Sequence, residues 1–289
     1  MIKDILWWSL LIIALLYLIY MLYDIYKHRD VLEQETSFFK TGLFAFGTLF
    51  FDVLGIGAFA PHTTLYRFFK QVDDRIIPGT LNAGNAIPTM LQALIFIKLI
   101  EVDTLTLVLM IIASVLGSSI GAKIVANLNK KKIQLSMGFA LLITSFFLLL
   151  SALGLMDLHA NGLSLRGTYL YIGVGVNFIL GALMTVGVGL YSPCMALVAM
   201  LGMSTKAAFP IMMGSCAFLM PACGIEFIRE DAYNRKAAIA ATLFGTVGVI
   251  LAAYFVKSLP IGILRWIVVV VVVYTAISMI REGMKKSLV

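Results

Sequence analysis

The chain has 289 residues, of which 61% are hydrophobic and only 13% charged, and its formal net charge is +7. Soluble domains average about 25% charged residues, so this composition excludes a soluble globular domain and predicts an all-α polytopic membrane protein. In such a protein, positive charge is a signal of membrane topology and does not indicate nucleic-acid binding. The sequence has no nucleotide-binding loop, dinucleotide-binding motif or zinc-ligand spacing, so we expect neither a cofactor nor a metal.

The N-terminal apolar stretch, residues 5–23, is long enough to span a membrane and longer than the core of a signal peptide. A charged segment follows it. We therefore expect residues 1–37 to form an extra N-terminal transmembrane helix and a charged linker. Residues 38–155 are then a first transport repeat, 156–167 a second linker, and 168–289 a second transport repeat.

The two halves share glycines and prolines at a constant spacing of 132 residues. The shared residues are Gly55, Gly57 and Pro61 in the first half and Gly187, Gly189 and Pro193 in the second. Such residues break helices, and membranes tolerate a broken helix only where protein or a cavity covers the freed backbone. Paired interruptions in two halves are typical of a transport site. Glycine packing at helix crossings, with ordinary proline kinks, is the alternative explanation.

Charge counting distinguishes two topologies. The apolar segments lie near residues 5–23, 41–60, 78–97, 104–127, 133–155, 168–192, 207–228, 237–256 and 261–280. If all nine cross the membrane, the 22 Lys and Arg residues divide 11 to 11 between its sides. If the segments around Pro61 and Pro193 turn back inside it, they divide 16 to 6, a clear positive-inside bias.

The sequence therefore favours seven crossings and two re-entrant, broken-helix units. The N-terminus is then outside and the C-terminus in the cytoplasm. Because each repeat has three crossings, an odd number, we expect the two repeats to be inverted relative to each other.

The residues around these breaks resemble the TauE/SafE family of anion exporters, also called the toluene-sulfonate uptake permease family. The resemblance covers about residues 40–284. It rests on Gly55-Ile56-Gly57 with Pro61, on Pro78-Gly79-Thr80-Leu81, on the glycine-rich stretch 117–123 with the basic turn 130–133, and on Gly187, Gly189, Pro193 and Gly214. Family members carry a longer glycine run, whereas each copy here has two glycines, with Phe59 or Tyr191 nearby. The resemblance implies export or uptake of sulfite, sulfonates or related sulfur-containing anions across the bacterial plasma membrane.

The paired breaks also predict where an anion would bind. A helix that begins at Pro61 or Pro193 would direct N–H groups and partial positive charge toward the membrane midplane, with Ser192 as N-cap of the second helix. Two such helix ends suit a small oxyanion. The predicted substrate-binding residues are Gly55, Gly57, Pro61, His62, Thr63, Thr80, Asn82 and Asn85 in the first repeat, and Gly187, Gly189, Ser192, Pro193, Cys194, Ser215 and Cys216 in the second.

The polar candidates also have structural explanations. His62 could be an inert, backbone-capped histidine, and Asn82 and Asn85 could hold helices together. The cysteines could be small buried hydrophobes. Asp52, close to the first break, could couple proton movement to transport or could cap a helix, since a carboxylate inside a membrane is costly unless paired or protonated.

The leading hypothesis is a secondary transporter, not an enzyme, that moves a small sulfur-containing anion by alternating access. Its partners would be the anion, membrane lipid and a coupling proton, with no nucleic acid, and a homo-oligomer is compatible with the sequence. Without a nucleotide-binding sequence, energy must come from an ion gradient, the substrate gradient or the membrane potential. The alternatives are a passive anion channel and a membrane-embedded enzyme that uses His62 or Cys216. A single histidine with no evident orienting acid argues against the enzyme.

Overall fold

Helices account for the regular structure of residues 2–54, 57–97, 100–155, 162–187, 189–255 and 261–284, which are the residues that the computed structural model describes. The α-helices in these residues are α1 (Ile2–Lys27), α2 (Phe38–Asp52), α3 (Phe59–Phe68), α4 (Ile77–Gly84), α5 (Ala86–Phe96), α6 (Thr104–Ala126), α7 (Lys130–Ala152), α8 (Gly167–Met184), α9 (Tyr191–Met200), α10 (Thr205–Arg229), α11 (Arg235–Phe255) and α12 (Ile261–Met284). A short 3₁₀ turn, Arg29–Val31, follows α1.

Five of the described helices are long and apolar enough to cross a membrane, judged by length and composition. The candidate spans are Lys3–Lys27, Thr104–Ala126, Gly167–Met184, Lys206–Arg229 and Arg235–Tyr254. Only 17% of the apolar window in the first span is buried within the protein, which suits a helix in contact with lipid. The expectation of an all-helical, multi-pass membrane protein is therefore confirmed.

Local sequence signals begin several of these helices. The Ser37 hydroxyl accepts a hydrogen bond from the Lys40 N–H at the start of α2, and the Asp103 carboxylate accepts one from the Thr106 N–H at the start of α6. Short polar side chains at this position satisfy N–H groups that have no partner inside the helix. α2 and α6 thus begin directly after their capping residues, Ser37 and Asp103.

Three apolar segments are interrupted. Residues 41–60 divide into α2 and the start of α3, residues 168–192 into α8 and the start of α9, and residues 78–97 into α4 and α5. At the first two interruptions, Gly57 (φ +88°) and Gly187 (φ +105°) adopt a backbone conformation that side chains with a Cβ disfavour. The glycines therefore end continuous helix at both places.

The predicted starting points of the two short helices are wrong by two residues. α3 begins at Phe59 and α9 at Tyr191, so Pro61 and Pro193 are the third residues of their helices. Leu190, not Ser192, occupies the N-cap position of α9. A helix tolerates proline throughout its first turn, because the first four N–H groups of a helix have no intrahelical partner.

α3 and α9 correspond closely, although their sequences differ. Each has 10 residues, and they lie 132 residues apart in the chain. Each ends at a left-handed residue, Lys70 (φ 51°) or Gly202 (φ 89°). The next N–H, of Gln71 or Met203, then bonds back to a carbonyl of the helix at 2.8 and 2.9 Å respectively. This is the same helix ending, used twice.

In each half, a hydrogen bond joins the segment before the broken helices to the segment after them. Before α2, Thr36 donates to the Gln71 carbonyl beyond α3 at 2.8 Å. Before α8, Gly162 donates to the Gly202 carbonyl beyond α9 at 3.2 Å. We call the face around the Thr36–Gln71 bond the linker face, because it also carries linker residues 28–37. We call the face around the Gly162–Gly202 bond the opposite face. α6 runs from the opposite face at its N-terminus to the linker face, where Lys130 at the start of α7 pairs with Asp73.

The two halves pack through each other rather than side by side. α6 packs on α8 and α10, while α11 packs on α2, α4 and α5, and α7 packs on α12. Small residues permit close contact: a Cβ at Gly117 or Gly121 would meet the α8 backbone, and one at Gly181 would meet that of α6. Each pair of broken helices therefore packs against helices of both halves.

Candidate functional site

A small cavity lies where the two helix breaks meet. Its volume is ≈ 20 Å³, which is room for about one water molecule. Both halves of the chain line it, and the lining residues are Leu49, Asp52, Gly57, Ala58, Phe59, Asn85, Thr89, Met184, Gly189, Leu190, Tyr191, Cys216 and Met220. We call it the central cavity.

The starts of α3 and α9 both contribute to this cavity. Ala58 and Phe59 line it from the first half, and Leu190 and Tyr191 from the second. A Cβ built on Gly189 would lie 3.8 Å from the Phe59 Cβ, so the two breaks are in close proximity. Helix N-termini carry partial positive charge. The N-termini of α3 and α9, which both line the cavity, therefore favour a negatively charged group there.

A chain of buried hydrogen bonds connects the breaks. One Asp52 oxygen accepts a bond from the Ala58 N–H at 2.5 Å, and the other accepts one from the Gln92 amide at 2.8 Å. The Gln92 carbonyl oxygen in turn accepts a bond from the Tyr191 hydroxyl at 2.9 Å. These bonds connect the end of α2, the N-cap residue of α3, α5 and the first residue of α9.

Two of the predicted polar residues meet beside the cavity. Asn85, at the junction of α4 and α5, places its amide nitrogen 3.4 Å from the Nδ1 atom of His62. Both residues are fully buried, as is Thr63. Asn85 Oδ1, His62 Nε2 and Thr63 Oγ1 have no hydrogen-bond partner among the described residues. Such orphaned groups are rare in native interiors, where they indicate water, an ion or a functional role.

The cysteines have different surroundings. Cys216 lines the central cavity and lies 3.7 Å from the Met184 sulfur, while Cys194 is buried outside the lining. Both thiols and that of Cys223 are free. Ser215 accepts a hydrogen bond from Asn177 at 3.1 Å and does not line the cavity.

Thr80 and Asn82 make interhelical contacts away from the cavity. The Thr80 hydroxyl accepts a bond from the Asn234 N–H, next to α11. Asn82 donates to the Pro78 carbonyl and accepts a bond from the Cys223 thiol of α10. These contacts match the alternative of residues that hold helices together.

The remaining predicted site residues flank the cavity. Pro61, Ser192 and Pro193 lie in the first turns of α3 and α9, and Gly187 faces Met137 of α7. Gly55 lies outside the described residues. Thus Asp52, Gly57, Asn85, Gly189 and Cys216 line the central cavity, and the other described candidates surround it or lie farther away.

Sequence reasoning did not identify Gln92, Thr89, Met184 and Met220, and it treated Tyr191 only as a bulky neighbour of the glycines. Gln92 carried one available signal, because it is a lone amide within an apolar helix. The methionines carried none. Among the described residues, no group of three His, Cys, Asp or Glu side chains could hold a metal ion.

Two halves whose broken helices meet at a small cavity between them are typical of membrane transporters. Residues 2–148 match the family model of the sulfite exporter TauE/SafE, and the chain therefore belongs to that family. The match begins within α1, so it includes the N-terminal helix, and it ends within α7. No curated protein and no solved structure matches the chain.

Proposed function

We propose that this protein moves a small sulfur-containing anion, such as sulfite or an organosulfonate, across the bacterial plasma membrane by alternating access. The supporting observation is that two broken-helix pairs, one from each half, meet at a single buried cavity. Transport sites typically lie at the interface between repeats that contain discontinuous helices.

The topology belongs to the same proposal. α2 with α3, and α8 with α9, are two re-entrant units that enter from opposite sides of the membrane, and the two transport repeats are inverted. The linker face is cytoplasmic, because the cationic residues Arg67, Lys70, Lys130 and Arg235 lie there. The N-terminus of α1 is then outside and the end of α12 inside.

The central cavity is the proposed anion site in a closed conformation. Sulfite is larger than the single water that the cavity can hold, so the two breaks must separate to admit it. The N–H groups in the first turns of α3 and α9 would then bind the anion oxygens. Asn85 and Cys216 line the same space and contribute to its shape.

Asp52 is the proposed coupling residue. Its carboxylate occupies the start of α3, so an anion bound there would be close to a like charge in a poorly solvated site. Binding of the anion is therefore favoured when Asp52 carries a proton. Anion and proton would then move together, and the pH gradient would influence the direction of transport.

Uptake into proteoliposomes tests this function. The panel comprises sulfite, sulfate, thiosulfate, an organosulfonate and a carboxylate, each with and without an imposed pH gradient. We expect saturable uptake of at least one sulfur-containing anion that responds to the gradient. Flux that does not saturate or respond to pH would instead identify a passive channel, and lack of uptake for every sulfur-containing anion would refute the proposal.

A further inference from the structure

The buried polar atoms without hydrogen-bond partners are concentrated on one short helix. Of the six such side-chain atoms in the described part of the chain, four belong to α3. They are His62 Nε2, Thr63 Oγ1, Tyr66 Oη and Arg67 Nη1. Since nearly all buried polar groups in native proteins are paired, this concentration indicates a place where water or an ion satisfies them.

All four atoms are hydrogen-bond donors. The hydroxyls and the guanidinium donate by their chemistry. Where the Asn85 amide nitrogen donates to the Nδ1 atom of a neutral His62, the ring proton is on Nε2 and that atom is a donor. A row of unpartnered donors suits a ligand that only accepts, which is the property of an oxyanion.

The four residues form a continuous strip. His62 and Tyr66 are four residues apart, as are Thr63 and Arg67, so each pair lies on one side of the helix and the two sides adjoin. The rings of His62 and Tyr66 have centroids 4.3 Å apart. His62 contacts Asn85, which lines the central cavity. At the other end, Arg67 lines a second cavity of ≈ 630 Å³ at the linker face, which we call the vestibule.

Arg67 is held where the strip meets the vestibule. Its Nη2 atom lies 2.5 Å from Glu282 on α12 and 3.5 Å from the Ser278 hydroxyl, and its Nη1 atom lies 3.6 Å from Asp74. The side chain is only 11% exposed. Gln134 on α7 also bonds to Asp74 and Glu282, so the guanidinium is enclosed by acids from two elements.

The corresponding helix in the other half lacks this strip. The positions of α9 that lie 132 residues after those of the strip hold Cys194, Met195, Val198 and Ala199. The corresponding residues of α3 are His62, Thr63, Tyr66 and Arg67. α9 therefore presents no row of strong donors toward the opposite face. The difference between helices of equal length and position shows that the donors of α3 are not required to build such a helix.

We propose that the anion passes between the central cavity and the vestibule along the donor strip of α3, and that Arg67 binds it at the vestibule end. This inference rests on the proposed function and adds a route and a specificity-determining residue to it. In the closed state Arg67 is paired with Glu282 and Asp74. When the anion arrives, its oxygens replace these carboxylates on the guanidinium, whose planar set of donors matches an oxyanion.

Near-isosteric variants separate this role from a structural one. Thr63→Val and Tyr66→Phe remove hydroxyls that have no partner, so a purely structural role predicts unchanged thermal stability and unchanged sulfite flux. We expect stability to be retained and sulfite uptake at low concentration to fall about tenfold in each variant. Thr144→Val is the matched control, because that hydroxyl bonds within its own helix, and its flux is expected to equal that of the unaltered protein. Unchanged flux in both α3 variants would overturn the route.

The guanidinium is tested against a second buried arginine of the linker face. Arg235 is 8% exposed and pairs with Asp24 and Asp231, outside the strip. We expect Arg67→Gln to raise the KM for sulfite about tenfold or more and Arg235→Gln to leave it unchanged. Equal KM values in the two variants would contradict the assignment of Arg67.

Thiol labelling tests the route without any transported anion. Tyr66→Cys and Val198→Cys place thiols at corresponding positions of α3 and α9, and the three native thiols, all buried, give the background. With a small anionic methanethiosulfonate reagent, we expect position 66 to react at least about tenfold faster than position 198, because the proposed route follows the donor strip of α3 and α9 has no such donors at the corresponding positions. Equal rates would refute the route. Absence of uptake of every sulfur-containing anion by the unaltered protein would instead refute the proposed function, and the labelling rates would still test the route.

Discussion

At the scale of single residues, the informative contact is the one between Asp52 and its neighbours. Its carboxylate accepts hydrogen bonds from Ala58 and Gln92. The side-chain carbonyl of Gln92 in turn accepts one from Tyr191, in the other half of the chain. Asp52 thus accepts the N–H of Ala58, the residue that precedes α3, and the helix cap that the sequence left open as one of its two roles is compatible with this contact. Proton coupling remains a prediction, and the two roles are compatible because a protonated carboxyl retains an oxygen that can accept the Ala58 bond.

Asp52→Asn is expected to abolish the response of sulfite uptake to a pH gradient while leaving the protein folded. The substituted amide can still accept the Ala58 bond, and it can donate to Gln92 if that amide turns over and donates to Tyr191. The carboxyl that would bind a proton is nevertheless lost. Uptake with and without a gradient, alongside thermal unfolding in detergent, measures both effects. A gradient response equal to that of the unaltered protein would reduce Asp52 to a structural cap.

Gln92→Leu supplies the contrasting case. It leaves one Asp52 oxygen and the Tyr191 hydroxyl without their partner, and a buried group that loses its hydrogen bond costs about 1–3 kcal/mol. We therefore expect a lower free energy of unfolding, visible as a reduced melting temperature. Melting equal to that of the unaltered protein would show that the buried chain of bonds adds no stability.

Gly189→Leu and Gly189→Ala form a matched pair at the central cavity. A Cβ at this position would make an ordinary contact of 3.8 Å with Phe59, and Gly189 has no positive φ, so alanine fits. The longer leucine side chain would fill a cavity of ≈ 20 Å³. We expect sulfite uptake to persist in the alanine variant and to be lost in the leucine variant, with both proteins folded. Full uptake by the leucine variant would show that the anion does not pass this point.

At the scale of elements, helix ends are fixed by a few side chains that also join the halves. Asp103 caps α6 by accepting two bonds from Thr106, and it pairs with Arg166, which precedes α8. Burial alone would raise the pKa of Asp103, but the bonds from Thr106 and Arg166 lower it below its usual value. Capping and the connection between the halves therefore depend on one ionised carboxylate.

The pH dependence of stability follows from that lowered pKa. Because the folded-state pKa of Asp103 lies below its unfolded value of about 3.9, its stabilisation is fully present above that value and is lost as the pH falls through the folded pKa. We expect Asp103→Ala to cost about 1 kcal/mol at neutral pH, the usual value of a cap, and less in strong acid. Thermal unfolding at several pH values measures this. Asp30→Ala, whose exposed carboxylate is 89% accessible, is the control and is expected to have no effect at neutral pH.

At the scale of the whole molecule, the two broken pairs and the long helices between them form one interlocked bundle. α6 and α11 each pack on a broken pair of the other half, while α10 packs on α9 and α4 on α3 within the same half. Separation of the breaks therefore requires that parts of both halves move relative to each other. This is the kind of motion that alternating access describes.

The proposed topology predicts which positions a membrane-impermeant thiol reagent reaches from outside intact cells. Lys70→Cys and Lys131→Cys lie on the linker face and should remain unlabelled, whereas Leu163→Cys, on the opposite face, should be labelled. The reason is that the excess of Lys and Arg places the linker face in the cytoplasm. Labelling at position 70 without labelling at position 163 would contradict the orientation and the re-entrant units together.

The sequence by itself determined the class of this protein and the positions of its helix breaks. Its composition leaves no alternative to helices in a membrane, because only internally bonded backbone is stable there. Gly57 and Gly187 lie within the two breaks, and Pro61 and Pro193 lie in the first turns of the helices that follow, since such features are encoded within a few neighbouring residues. Five of the thirteen residues that line the central cavity were predicted from the sequence, namely Asp52, Gly57, Asn85, Gly189 and Cys216.

Only the tertiary structure decided which of these residues act together. Gln92 meets Asp52 across 40 positions of the chain and Tyr191 across 99, and Thr80 and Asn82 turn toward α11 and α10 instead of the cavity. The concentration on α3 of buried polar atoms without hydrogen-bond partners became visible only when the packing around this helix was known. Local sequence specifies where a helix begins and ends, but the partner of a buried side chain depends on how distant helices pack, and that packing is set by the fit of all of them at once.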